Sequence, residues 1–132
     1  MITSIQVPKV VYNILSNNDE LEQQVGKRIF PIIADQTTNF PFITFERENI
    51  TTDSQTKDYY RQDIVSFSIN VVTQGYLEGL EIADIVRSCL EKKKLPNTYN
   101  LNITNCKVYS VSEDYIDDAY VQRISFECTV DY

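Results

Sequence analysis

The chain has 132 residues, 42% of them hydrophobic, and a formal net charge of −7. That length suits one domain with a real core, while no apolar run approaches the roughly 20 residues needed to span a bilayer. The acidity excludes a broad nucleic-acid surface, because phosphate contacts need clustered Lys and Arg.

The N-terminal stretch lacks the basic start, apolar middle and small-residue cleavage site of a secretory signal. A single domain over 1–132, made in the cytosol and without a membrane partner, is therefore expected. There is no histidine, which removes the commonest general base near neutral pH and the commonest metal ligand. Cys89, Cys106 and Cys128 lie far apart, in odd number and on apolar-leaning positions. They read as buried reduced thiols, neither a disulfide framework nor a zinc cluster. No catalytic, cofactor-binding or metal-binding residue is assigned, and no cofactor is implied.

Residues 5–24 carry Ile5, Val11, Ile14, Leu15 and Leu21 at roughly helical spacing. Pro8 fits a first turn, where its missing N–H costs little. The Ser16–Asp19 stretch breaks the segment in two, with Asp19 as the cap of a short second helix and Gly26 ending it. A short strand is predicted over Arg28–Ile33, a polar connector over Asp35–Asn39, and a second strand over Phe40–Ile50 with Pro41 at its start. The segment Thr51, Thr52, Asp53, Ser54, Gln55, Thr56, Lys57 and Asp58 holds no apolar residue and reads as an exposed hairpin loop.

Tyr59–Thr73 is the clearest strand. Val65, Phe67, Ile69 and Val71 alternate with Ser66, Ser68 and Asn70, so one face should be buried and the other wet or paired outside the subunit. Gly75 opens a helix to about Lys94, with Ile82, Ala83, Val86, Cys89 and Leu90 as its apolar stripe. The run Lys92-Lys93-Lys94 closes that helix and complements its dipole. In Leu101–Val111 the apolar phase slips, which predicts a bulge near Thr104-Asn105. Glu113–Asp118 reads as a solvated acidic turn, and Ala119–Asp131 alternates again as the last strand. The sum is an α+β domain, ordered α-β-β-β-α-β-β. It has a mostly antiparallel sheet of four to five strands with two main helices on one face.

Several residues have two readings. Asp63, beside Arg61, is either an intersubunit ion pair or a solvated pair at a strand end, worth at most about 1 kcal/mol. Tyr59 and Tyr60 suit an interface and a strand equally. Glu113, Asp114, Asp117 and Asp118 lack the spacing and glycine of a calcium loop and read as an acidic surface turn or a lumen-facing loop. Glu46 and Glu48 share a strand face but have no further chemical group near them in sequence.

Two segments, Val25-Gly26-Lys27-Arg28-Ile29-Phe30-Pro31 and Phe40-Pro41-Phe42-Ile43-Thr44-Phe45, follow an N-terminal helix. With the strand Gln62–Ile69, the helix around Ile82–Leu90 and the late strands near Glu113–Tyr115 and Tyr120–Gln122, they give an order that resembles the tail completion, or tail-to-head joining, proteins of long-tailed phages. After Pro31 the chain departs from the commoner pattern with Ile32-Ile33-Ala34-Asp35. The resemblance implies a non-enzymatic virion protein, present in the host cytoplasm during assembly. It implies rings, often hexamers, at the head-proximal end of the tail tube, where they end the tail and meet the head connector. The implied partners are further copies of itself, a tail tube protein and a head connector protein, with DNA only passing through the lumen. Tyr59, Tyr60, Arg61, Asp63, Ser66 and Ser68 are the candidate interface, and 51–58 the candidate assembly loop. Another neck component, or a protein-binding adaptor unrelated to phage, is the alternative.

Overall fold

The computed structural model describes residues 2–55 and 60–132. A single turn of 3-10 helix at Ser4–Gln6 leads into α1 (Val7–Ser16) and α2 (Asp19–Val25). Strands β1 (Ile29–Pro31), β2 (Phe42–Gln55) and β3 (Tyr60–Thr73) follow, then α3 (Tyr76–Leu90) and strands β4 (Lys92–Leu95), β5 (Asn102–Ile116) and β6 (Ala119–Asp131). The expected α+β class holds, with three α-helices and six strands among the described residues rather than two and four to five.

The strands form one sheet in the order β1-β2-β3-β6-β5-β4. Only β1 against β2 is parallel; the other neighbours are antiparallel. Odd-numbered residues of β3 and even-numbered residues of β6 turn to the helices. Val65, Phe67, Ile69, Val71, Ile124, Phe126, Cys128 and Val130 are all buried there. Phe67 and Phe126 are opposite each other in register and stack with ring centroids 5.1 Å apart. Val7, Val10, Val11 and Leu15 of α1 join the same core, as do Ile82, Val86 and Leu90 of α3.

Asn18 caps α2 by accepting from the Leu21 N–H at 2.9 Å, so Asp19 is the first helical residue and not the cap. Ile5, expected on the helical stripe, stands 59% exposed in the 3-10 turn. Gly26 ends α2 at φ 59°, ψ −128°, a conformation that favours glycine, and its N–H reaches Glu22 O. β1 stops at Pro31, two residues short of expectation, because Ile32 turns to φ 63°. Arg28 donates to Pro41 O at 2.9 Å, tying the glycine–proline step to the start of β2 across the cis Phe40–Pro41 bond.

Two boundaries differ more. α3 ends at Leu90, and Lys92–Lys94 lies in β4, so the basic run does not close the helix. Lysines on a short edge strand block further pairing, as edge strands require. The stretch Thr51–Gln55 continues β2 and is not loop; Thr56, Lys57, Asp58 and Tyr59 lie outside the described residues. At the other end β5 runs through Glu113–Ile116, so only Asp117-Asp118, both at positive φ, form the turn. The predicted bulge is present: the β5–β6 register shifts between Thr104 and Lys107, with Asn105 at φ 52°.

Candidate assembly surfaces

The sheet face away from the helices is polar. On it Arg123 of β6 donates to Glu46 Oε1 at 3.3 Å, lies 3.6 Å from Glu48 Oε1, and donates to Asn70 Oδ1 at 3.3 Å. Asn70 in turn donates to Thr44 Oγ1. A β2 bulge between Arg47 and Asn49 lets both glutamates reach one guanidinium. The carboxylate pair Glu46/Glu48 is thus engaged by a cation.

The six interface candidates separate. Tyr59 lies outside the described residues, and Tyr60 opens β3. Arg61 is exposed, with its guanidinium 5.0 Å from the centroid of the Tyr132 ring. Ser66 is half-buried on the polar face. Ser68 is buried between its register partners Glu46 and Ser125.

Asp63 is 2% exposed, so the expected solvated pair is corrected. It sits on the helix face of β3, where the Ser4 hydroxyl donates to its Oδ2 and the Tyr132 hydroxyl donates to the same oxygen at 2.9 Å. Ser4 N–H donates to the Tyr132 hydroxyl at 2.7 Å, closing the triangle. Burial alone pushes the Asp63 carboxyl up. Hydrogen bonds from Ser4, Tyr132 and Thr52, with the nearby Arg61 charge, outweigh burial and leave it below the ordinary carboxylate value. No sequence signal marks this site, because its partners are 59 and 69 residues away.

The acidic end of the β5–β6 hairpin is also organised. Glu113 accepts from the Tyr76 hydroxyl and from Gln122 Nε2, each at 2.9 Å. Those bonds hold its carboxyl below the usual range. Among the described residues no group of three acidic, cysteine or histidine side chains could hold a metal ion. No described helix is long and apolar enough to cross a membrane. Cys89, Cys106 and Cys128 are free and buried. The adjacent Cys128 and burial push the Cys106 thiol far up, which keeps it protonated and inert.

Both long outer strands are only half covered. β1 pairs with β2 at Ile43–Phe45 alone. β4 pairs with β5 at Ile103–Cys106 alone. The first exposed amide beyond β4, that of Val108, is capped by Glu91 Oε2 at 2.9 Å. From there to Ile116, β5 has no neighbour on that side among the described residues. Large apolar side chains stand out along it, including Val111 and Tyr115, 50% and 57% exposed.

Among the described residues the polar sheet face is engaged in its own contacts, the core is sealed and two strand edges are half open. The chain belongs to the family described as tail completion protein gp17, which it matches over residues 9–130. It is thus a phage tail structural protein, a component of the virion. Among solved structures, a chain of the virion of a native gene transfer agent particle is 16% identical, with a TM-score of 0.79 and 92% of each chain covered. Another solved chain is 15% identical, with a TM-score of 0.65, covering 100% of this chain and 98% of that one. At such identities both likenesses show the fold. The comparison with curated proteins found no match.

Proposed function

We propose that this tail protein forms a homo-oligomeric ring at the head-proximal end of the tail tube, where it ends tube growth and joins the tail to the head. The observation that carries this reading is the family match across nearly the whole chain. The role is structural, with no catalytic step. The partners are other copies of the chain, the tail tube protein and the head connector protein, met in the host cytoplasm during assembly.

The charge supports the reading. A chain at net −7 gives DNA no broad basic surface to grip, so a ring of such chains would let it slide. Of the sequence-based interface candidates, Tyr60, Arg61 and Ser66 remain proposed contacts, with Thr51–Gln55 as the described part of the assembly segment.

Deleting the gene from its parent phage tests the reading. Electron microscopy should show tails of uncontrolled length, or tails lying free beside full heads. Normal tails joined to heads would refute it.

A further inference from the structure

We infer that neighbouring copies join by β-strand addition, the open half of β5 in one copy pairing antiparallel with the open half of β2 in the next. This rests on the ring reading and specifies its contact.

The two open halves lie at opposite ends of opposite edges. Among the described residues, β1 covers the start of β2 and leaves Arg47–Gln55 open, and β4 covers the start of β5 and leaves Tyr109–Ile116 open. An open strand half is a row of unpaired backbone donors and acceptors, which templates another chain. β2 and β5 run in opposite senses within the sheet. Because the two open halves lie at opposite ends of the sheet, the next copy is shifted along the strands, and copies related by rotation about an axis inclined to the strands would meet antiparallel. The short strands β1 and β4 would act as stops that set the stagger. Such a head-to-tail contact is heterologous, and it closes into a ring when the rotation allows.

The ladder phase agrees. Ile43 N–H bonds to Arg28 O, so residues in that phase of β2 face the open edge. Past the bulge, alternation gives Ile50 and Thr52. On β5, the two-residue turn closes on Ile116 and Ala119, so Val111, Glu113 and Tyr115 face outward. On both strands these residues carry their side chains on the helix side. Joining the edges thus keeps the apolar face on one side and the polar Arg123 face on the other.

One register uses the side chains well. With Tyr115 opposite Ile50 and Glu113 opposite Thr52, an exposed aromatic covers a half-buried β-branched residue, a favourable cross-strand pair. The same register carries the acidic turn Asp117-Asp118 to the exposed Arg47 of the neighbour. It also brings Leu77, 72% exposed at the start of α3, towards the helix side of the neighbouring β2, where Ile5 is exposed.

The test uses the full chain at high concentration. Val111→Pro blocks the outer edge without removing an intrachain ladder bond. It should keep the wild-type circular dichroism melt yet sediment as monomer where the wild type sediments as a ring. The double variant Ile50→Cys/Tyr115→Cys, once oxidised, should give a ladder of covalent multimers on a denaturing gel. β2 and β5 are three strand spacings apart, about 14 Å, so one chain cannot close that disulfide. Each single cysteine variant should give dimers at most. Rings that form with Val111→Pro, or a double variant with no ladder beyond the singles, would overturn the edge pairing and leave the ring standing. A ladder with open filaments and no ring would uphold the pairing and sink the ring. Wild-type monomer at every concentration, with no ladder, would remove both.

Discussion

The Tyr132 hydroxyl donates a 2.9 Å hydrogen bond to Oδ2 of Asp63, across 69 residues of sequence. Ser4 reaches the same oxygen from the turn before α1. One buried carboxylate therefore anchors the segment leading into α1 and the segment following β6 to the same strand. Tyr132→Phe keeps the ring over Arg61 and deletes the hydroxyl, which removes both its bond to Asp63 and the one it accepts from the Ser4 N–H. The bond to the carboxylate alone should cost about 1.5–3 kcal/mol, the range for hydrogen bonds to charged groups, and the orphaned Ser4 N–H adds to it. The shift in urea midpoint at constant slope measures it.

The same carboxylate gives an acid signature. Its folded pKa lies below the ordinary value despite burial, because the three hydroxyl donors and Arg61 favour the charged form. A group depressed on folding stabilises above its unfolded pKa, about 3.9 for Asp, and that stabilisation is lost as pH falls through the lowered folded value. Urea unfolding at pH 6 and at pH 3 should therefore show a stability drop that Asp63→Asn reduces. An equal drop in the variant would assign acid sensitivity elsewhere.

How much of this was readable in the sequence depends on the range of the interaction. β6 is where Ala119–Asp131 alternation put it, since a strand buried on one face writes its period locally. The β5 bulge was legible for the same reason, through the phase slip around Asn105. β4 was not: Lys92–Lys94 has no apolar period, and its strand character comes from pairing with Thr104 and Cys106. The extension of β2 past Ile50 was hidden likewise, because Thr51 and Thr52 owe their conformation to Ile64 and Asp63 across the ladder. The Asp63 site was beyond reach, as an Asp two residues from an Arg looks the same whether solvated or sealed under a tyrosine 69 residues on. The half-open edges depend on where β1 and β4 end, and strand ends are the least legible feature of all.

Arg123→Ala tests whether the polar face is a stability device. Its ion pairs with Glu46 and Glu48 involve side chains about one-third exposed. Solvent screens such pairs, so the loss should stay below about 1 kcal/mol and shrink at 1 M salt. Larger losses in thermal melts would mean the cluster is more tightly coupled than its geometry indicates.

Gly26→Ala should be disproportionately costly for an exchange of one methyl. At φ 59° and ψ −128° the backbone disfavours any Cβ, although the nearest atom, Arg28 Nη1, would stand at an ordinary 3.5 Å. The penalty is conformational, not steric crowding, and should be about 1–3 kcal/mol. Chemical denaturation reads it directly.

Phe126 and Val111 separate what folds the chain from what is left for assembly. Phe126 is fully buried at the centre of β6, stacked on Phe67. Phe126→Ala empties a ring volume in a sealed layer and should cost about 3–5 kcal/mol. Against a total stability of about 5–15 kcal/mol, that is enough to unfold a large fraction of the chain on mild heating. Val111 is half exposed on the open edge of β5, and truncating it to Ala should change stability by about 0.5 kcal/mol or less. If Val111→Ala lowers the melting point as Phe126→Ala does, the β5 edge belongs to the fold of the single chain and is not a surface kept free for a neighbour.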